Sequence, residues 1–231
     1  MNRLLALVAL VLGFQFAAFA QSTVPDRDFQ VWNEDVFVLP VVSKKDSKGK
    51  SVDRLSLLLI GSIRFGQNRF APVDERIGGG FDLAINKYFS FSPTYVYVAS
   101  QPGRGRRDFE HRVRFDATYS QKWKHFGIKD RNRYEYRFRN FRENSSRYRN
   151  KFTFSVPIHR DKKELFAPYV ADEVYYDITE HKWTRNDFFL GAQKKLNSRV
   201  TADIFYCWRH TEGGRPSTLN AIGVNLKIKL K

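Results

Sequence analysis

The stretch from Asp130 to Asn140 alternates charged and aromatic side chains, and this pattern constrains the fold more than any other feature. Arg131, Arg133, Glu135, Arg137 and Arg139 occupy every second position, with Tyr134, Tyr136 and Phe138 between them. A period of two is that of a β-strand with one charged face and one aromatic face. The aromatic face meets lipid in a membrane barrel, whereas it packs into the core of a soluble barrel or sandwich.

The same alternation recurs along the chain in eleven candidate strands, nearly all of 10 to 14 residues. They cover residues 30–42, 52–65, 75–86, 88–100, 108–120, 130–140, 147–158, 165–177, 184–196, 199–209 and 220–230. Strands of soluble proteins are typically about 5–6 residues long, while membrane-spanning strands need about 9–11. Because closed bacterial barrels have even strand numbers, we expect ten or twelve strands.

Lysine and arginine are distributed differently, which also favours the membrane barrel. Lysines cluster in the turns, for example at Lys44, Lys45, Lys194 and Lys195, whereas arginines lie on strand faces. A solvated face would accept lysine as readily. Arginine with interspersed carboxylates suits a packed polar interior, because the guanidinium binds carboxylates in a fork and stays charged when partly buried. We therefore predict an all-β, antiparallel, up-and-down transmembrane β-barrel of about 10–12 strands, after a cleaved signal peptide.

The charged face of these strands is predicted to form a charge network in the lumen. Its members are Arg64, Arg76, Glu110, Arg112, Arg114, Asp116, Arg131, Arg133, Glu135, Arg137, Arg139, Arg147, Arg149, Glu173, Arg185 and Asp187. Placing Glu173 on this face leaves Asp172 facing outward. No cysteine and histidine spacing is typical of a transition-metal site, and we expect no catalytic residue, metal ion or cofactor.

The first twenty residues are typical of a secretory signal peptide. Arg3 supplies the positive charge, an apolar run follows, and Ala18-Phe19-Ala20 is a small-x-small cleavage site. Residues 21–29 are expected to be a flexible N-terminal segment, and residues 30–231 the barrel domain. Removal of the signal peptide takes away Arg3 and leaves a formal charge of 39 minus 24, or +15. An exported chain meets little nucleic acid, so this charge points instead to the lipid phosphates of the bacterial outer membrane.

Several segments together resemble the uncharacterised bacterial proteins of domain-of-unknown-function family 2490, which are similar to small outer-membrane barrels. The matching pieces are Trp32, Arg64, Glu110-His111-Arg112, Arg131 to Arg137, Arg147-Tyr148-Arg149, Pro168-Tyr169 with Glu173, Arg185-Asn186-Asp187, Gly191 and Leu196-Asn197. The resemblance covers most of the chain after residue 20. It implies an outer-membrane barrel and no established activity.

Three functions remain open. The first is a structural or binding barrel whose surplus of arginine attracts small anionic solutes, in its sharper form a narrow anion path. The second is a soluble periplasmic β-domain that binds acidic ligands. The third is an outer-membrane enzyme that modifies lipid, although no Gly-x-Ser-x-Gly motif is present. For the barrel, the expected partners are outer-membrane lipid, lipopolysaccharide and the barrel-assembly machinery.

Aromatic residues near strand ends (Trp32, Trp123, Trp183, Trp208 and Tyr148) are predicted to form girdles at the membrane interfaces.

Overall fold

A computed structural model describes residues 26–45, 49, 51–66, 70–103, 106–160 and 163–230. The predicted signal peptide at residues 1–20 lies outside this part of the chain. The strands are β1 (Arg27–Lys45), β2 (Ser51–Gly66), β3 (Ala71–Ala84), β4 (Phe89–Gly103), β5 (Arg106–Lys122), β6 (Gly127–Arg139), β7 (Ser145–Ser155), β8 (Ile158–Arg160), β9 (Lys163–Asp177), β10 (Lys182–Lys195), β11 (Val200–Thr211) and β12 (Thr218–Lys229). Within the described ranges, no helix is long and apolar enough to cross a membrane.

Eleven of these strands close into a barrel in the described part of the chain. The order runs from β1 to β7, then to β9, because the short β8 only forms a hairpin with the start of β9. All neighbouring pairs are antiparallel except the closing pair, in which β1 and β12 run parallel from Arg27↔Thr218 to Val38↔Lys229. An odd number of up-and-down strands leaves the first and last strands pointing the same way, so the barrel must close in parallel.

The predicted fold class is confirmed, with two changes of detail. The eleven strands counted from the sequence all take part in closure, so the expected even number does not hold for the described chain. The first strand begins at Arg27, so the last residues of the predicted flexible segment belong to β1. The end of the barrel at which β1 begins is called here the N-terminal end, and the opposite end, where β12 finishes, the C-terminal end.

The outer face of the barrel is largely apolar. Every one of the eleven barrel strands carries at least one large apolar side chain that is more than a third exposed, such as Leu59, Ile77, Phe152, Leu190 and Ile204. A monomeric soluble protein rarely exposes a continuous apolar surface of this extent. An apolar band around the outside is instead the surface by which a barrel contacts lipid.

Four of the five aromatic residues expected at the membrane interfaces lie on the outside of the barrel. Trp123, Trp183 and Trp208 are exposed, and Tyr148 lies on the outward face of β7, where its hydroxyl donates to Asn132. The expectation for Trp32 is wrong. Trp32 alternates with the outward Val31 and Asn33, so its indole points into the lumen and is only 5 % exposed.

Polar residues interrupt the apolar outer face on the middle of several strands. The Asn150 side chain donates to Asp130 Oδ1 at 2.6 Å and to Asn132 Oδ1 at 3.1 Å across β6 and β7. Asn186 donates to Asp172 Oδ1 at 2.9 Å across β9 and β10. Asp172 is exposed while the adjacent Glu173 is buried, as the alternation of β9 predicts.

One side of the lumen is apolar, which the sequence pattern did not indicate. The cluster of Trp32, Tyr169, Ala171, Phe189, Phe205, Cys207, Leu219 and Ala221 comes from the inward faces of β1 and β9 to β12 and is called here the apolar wall. Two glycines make room for its rings. A Cβ on Gly223 would lie 2.2 Å from the Phe205 ring, and one on Gly191 would lie 2.6 Å from the Tyr169 ring.

Candidate functional site

The opposite side of the lumen is built from charged side chains of β5, β6, β7 and β9. The alternation places these residues on the inward faces, where they lie side by side on neighbouring strands. We call the set of Asp116, Arg131, Arg133, Glu135, Arg137, Arg149 and Glu173 the charged wall. Within it, Glu135 is 0 % exposed, Arg137 is 2 % exposed and Glu173 is 3 % exposed.

The closest pair of the charged wall joins β5 to β6. Asp116 and Arg133 are directly opposite each other in the strand register. Arg133 donates from Nε to Asp116 Oδ1 and from Nη2 to Asp116 Oδ2, both at 2.6 Å. This two-pronged arrangement is the strongest geometry that an arginine and a carboxylate can form.

Glu173 is shared by two arginines from different strands. Its Oε1 accepts from Arg131 Nη2 at 2.8 Å and from Arg149 Nη2 at 2.7 Å. Arg149 also lies 3.5 Å from Glu135. Both carboxylate oxygens of Glu135 are buried and have no hydrogen-bond partner among the described residues, so Glu135 interacts with the surrounding guanidinium groups through charge alone.

The charged residues continue around the lumen towards the N-terminal end. Arg137 donates to Asp177 at 2.9 Å and to Ser145 at 2.5 Å. Arg112 lies 2.6 Å from Glu110, and Arg76 lies 2.5 Å from Asp74. Arg112 and Arg76 each pair with a carboxylate of their own strand, whereas Arg137 on β6 pairs with Asp177 on β9.

On the apolar side, an ion pair is embedded among the rings. Arg209 donates to Asp187 from Nε at 2.7 Å and from Nη2 at 2.6 Å. The Tyr175 hydroxyl donates to the same carboxylate at 2.9 Å. Asp187 is 1 % exposed, so this ion pair is shielded from solvent.

The predicted network is therefore brought together on inward positions, but its members differ in their partners. No carboxylate lies within ion-pair distance of five of its arginines among the described residues. These are Arg64, Arg114, Arg139, Arg147 and Arg185, and the Nε atom of each is buried without a hydrogen-bond partner in the same part of the chain. Arg139 does donate from Nη2 to the backbone carbonyl of Glu143.

Some partners were missed when the network was predicted from the sequence. Asp74, Asp177 and Arg209 complete ion pairs with predicted members. The strand period would have found Asp74 and Asp177, because Asp74 shares the face of Arg76 and Asp177 shares the face of Glu173. Trp32 and Tyr175 were missed for another reason, since aromatic residues were assigned to the outer face.

A cavity of about 490 Å³ opens inside the barrel towards its N-terminal end. The strand ends and loops around it contribute ten arginines and one lysine, against seven aspartates and glutamates, among the described residues. The cavity is therefore lined by an excess of positive charge. No group of three histidine, cysteine or carboxylate side chains placed to hold a metal ion occurs in the described ranges.

The comparisons with known proteins agree with the resemblance noted in the sequence. A family model described as a protein of unknown function (DUF2490) matches residues 30–220, so the chain belongs to this family. No curated protein matches the chain.

Similar solved structures include the NanC porin, at 13% identity and a TM-score of 0.48, covering 82% of this chain and 90% of that one. An anion-selective porin from Comamonas acidovorans is 12% identical, with a TM-score of 0.37 and coverage of 79% of this chain and 58% of that one. LpxR from Salmonella typhimurium is 9% identical, with a TM-score of 0.45 and coverage of 78% and 83%.

Proposed function

We propose that this member of the DUF2490 family is a bacterial outer-membrane β-barrel that binds small anions in the cavity at the N-terminal end of its lumen. The observation that carries the proposal is the surplus of positive charge around the cavity, where ten arginines and one lysine face seven carboxylates. The proposed role is binding and not catalysis.

The location is supported by the distribution of apolar and charged side chains. Large apolar side chains are exposed on every barrel strand, while Glu135, Arg137 and Asp187 are buried inside. This arrangement is inverted relative to a soluble protein and matches a barrel with lipid outside and polar groups inside. The proposed partners are therefore outer-membrane lipid, lipopolysaccharide and the barrel-assembly machinery.

The proposed preference for anions follows from the surplus of positive charge around the cavity and from the low polarisability of its walls. The cavity walls are protein with low polarisability, so uncompensated charge inside them acts over a longer range than at an open surface. A cation entering the cavity would be repelled by the surplus arginines. An anion would relieve the repulsion among them.

A purely structural lumen is the competing interpretation. Under that interpretation, arginines and carboxylates serve only to pair with one another across strands, as Arg133 and Asp116 do. It accounts for the charged wall. It leaves the unpaired guanidinium groups at the N-terminal end unexplained, because an unpaired buried charge destabilises the fold.

The test is whether small anions stabilise the folded barrel. The protein is refolded in detergent, and its thermal unfolding midpoint is measured in chloride, phosphate and gluconate salts at constant sodium concentration. A ligand that binds only the folded state adds about 2.7 kcal/mol at one hundred times its Kd. We expect a rise in the midpoint that saturates at millimolar anion concentration. A midpoint that is the same in every salt, or that rises without saturation as for excluded solutes, would refute anion binding.

Conductance distinguishes binding from passage. In a planar bilayer with a salt gradient, the sign of the reversal potential reports whether anions or cations carry more of the current. A sign showing that anions carry more would indicate a narrow anion path. Saturable anion binding without current would indicate a closed lumen that binds its ligand from one end.

A further inference from the structure

Two aromatic rings carry guanidinium groups of the cavity lining, namely Tyr175, which itself lines the cavity, and Trp32, which lies beneath the lining residues Arg64 and Arg209. The Cζ atom of Arg64 lies 3.9 Å from the centroid of the Trp32 ring, and that of Arg209 lies 4.6 Å from it. Around Tyr175 the corresponding distances are 4.5 Å for Arg149, 5.2 Å for Arg185 and 5.7 Å for Arg147. Five positive charges thus converge on two rings.

Only two of these five arginines form an ion pair with a carboxylate in the described part of the chain. Arg209 is paired with Asp187, and Arg149 is paired with Glu173. Among the described residues, Arg64, Arg147 and Arg185 have no carboxylate within ion-pair distance. The Nε atom of each is also buried without a hydrogen-bond partner there. Aromatic rings attract cations, but they carry no net charge that could compensate three guanidinium groups.

Arg147 and Arg185 lie over the same Tyr175 ring. Arg64 lies over Trp32 beside Arg209, whose partner Asp187 accepts from Tyr175. Like charges inside a protein repel one another more strongly than they would in water. A fold keeps such a cluster at a cost in stability. The cost is removed when a ligand supplies negative charge and acceptor oxygens to the free N–H groups. Arginine is the residue best suited to this, because its planar fork donates two parallel hydrogen bonds to the oxygens of a phosphate or carboxylate.

We propose that Arg64, Arg147 and Arg185 bind the phosphate group of a small phosphorylated molecule. A carboxylate carries one negative charge on two oxygens, which leaves two of the three guanidinium charges uncompensated. A phosphate monoester carries close to two charges near neutral pH and offers three acceptor oxygens, one for each arginine. The inference rests on the proposed function and specifies the class of anion.

The cavity leaves space for more than the phosphate. Pockets for small molecules usually measure about 300–1,000 Å³, and this cavity measures about 490 Å³. Its lining includes polar groups such as Gln30, Ser100 and Thr184. A sugar phosphate fits this combination of size and polarity. The same phosphate chemistry also occurs in free phosphate and in lipid headgroups, so the experiment includes all three.

The experiment is isothermal titration calorimetry on the folded full-length protein in detergent, in low salt at neutral pH. The probes are glucose 6-phosphate, inorganic phosphate and short-chain phosphatidic acid, with glucuronate as a sugar of similar size that carries a carboxylate. We expect glucose 6-phosphate to bind at least roughly tenfold more tightly than glucuronate, since each hydrogen bond to a charged group is worth a factor of this order. Tight binding of phosphatidic acid alone would assign the phosphate to a lipid and support the same three-arginine site.

The variants Arg147→Gln and Arg185→Gln test the site directly. Each is expected to weaken glucose 6-phosphate binding by roughly tenfold or more. The control is Arg199→Gln, which removes the same charge from the exposed turn between β10 and β11 at the C-terminal end, and it should bind as the wild type does. Heat-dependent mobility on a gel verifies that each variant is folded, and Arg64→Gln replaces any variant that fails this criterion.

The outcomes separate the inference from the proposed function. If glucuronate and glucose 6-phosphate bind equally and the cavity variants weaken both, anion binding stands and the phosphate assignment is overturned. If phosphate binding is the same in the wild type and in the cavity variants, the three-arginine site is overturned. If no probe binds and no salt stabilises the fold, both the inference and the proposed function fail.

The stability of the ligand-free protein provides a second test of the same site. Because the three arginines repel one another in the empty cavity, removing one should raise the thermal unfolding midpoint of the ligand-free protein. A lower midpoint for both Arg147→Gln and Arg185→Gln would show that these charges are already compensated, and it would contradict the proposed site.

Discussion

The charged wall and the apolar wall face each other across one lumen, and they are packed by different interactions. In the charged wall, Arg149 contacts Glu173 and lies close to Glu135, and Arg131 contacts the same Glu173. In the apolar wall, Phe205 packs against Trp32 and Phe189 with ring centroids 6.3 Å and 5.6 Å apart. The stability of the charged wall depends on the presence of every charged partner, whereas that of the apolar wall depends on how well the side chains fit together.

The difference determines how each wall responds to a change. Removing one charge from a buried ion pair leaves its partner uncompensated, which costs more than the pair contributed. Removing volume from an apolar cluster costs the lost contacts and leaves a cavity, and the cost depends on how far the neighbours can relax. The effects of two mutations on stability should therefore be strongly coupled when both lie in the charged wall. In the apolar wall, they should be coupled mainly when the two residues are in contact.

The two walls are joined where cations lie on rings. Lys151 Nζ is 3.5 Å from the centroid of the Phe189 ring, and Trp32 lies beneath Arg64 and Arg209. At these positions an aromatic ring of the apolar wall contacts a cation directly.

The largest effect is expected for Asp116→Leu in the charged wall. The substitution leaves the buried Arg133 without its carboxylate, and it should lower the free energy of unfolding by about 3–5 kcal/mol. Denaturant-induced unfolding in detergent or lipid vesicles measures this loss.

The matched control is the double variant Asp116→Leu with Arg133→Met, which replaces both charges by apolar groups of similar length. It should be close to the wild type in stability, because no charge is left unpaired. A double variant that is as unstable as Asp116→Leu would show that the ion pair itself stabilises the fold.

In the apolar wall, Gly223→Ala should lower the free energy of unfolding by less than Asp116→Leu does, and a smaller neighbouring side chain should compensate for it. The new Cβ would lie 2.2 Å from the Phe205 ring, and overpacking of this kind costs about 1–3 kcal/mol. Adding Phe205→Leu removes the ring and should recover part of the loss. If Gly223→Ala is neutral, the ring does not lie over the glycine and the apolar wall is packed differently.

On the outer face, Asp172→Val should stabilise the protein in lipid by about 1 kcal/mol, because an acidic side chain facing lipid is unfavourable. The adjacent Glu173→Val should have the opposite sign, because Glu173 faces inward and accepts from Arg131 and Arg149. Unfolding of both variants in lipid vesicles gives the two signs. Equal signs would contradict the assignment of inward and outward faces on β9.

Alternation along the strands was sufficient to predict the barrel and the inward position of its charges. From Asp130 to Asn140, the period alone places Glu135 inside and Tyr134 outside, as observed. The period also places Asp130 and Asn132 on the outer face, where their partner Asn150 became visible only from the strand register.

The apolar wall could not be predicted because its aromatic residues lie on the face that the charges mark as polar elsewhere. Phe189 lies two residues from the inward Asp187 on β10, and Phe205 lies four residues from the inward Arg209 on β11, so both rings share the inward face of their strands. The parallel closure was missed because an even number of strands was expected. The eleven strands counted from the sequence can close only in parallel when all of them run up and down, as β1 and β12 do.

The apolar outer face is expected to contact lipid and to enclose the two walls of the lumen. Fractionation of cells that produce the protein, followed by gel mobility with and without boiling, tests this expectation most directly. We expect release from the outer membrane by detergent alone and a shift in mobility on boiling, as for a closed barrel. Release by carbonate without a shift would contradict the account and assign the apolar surface to a soluble, periplasmic assembly.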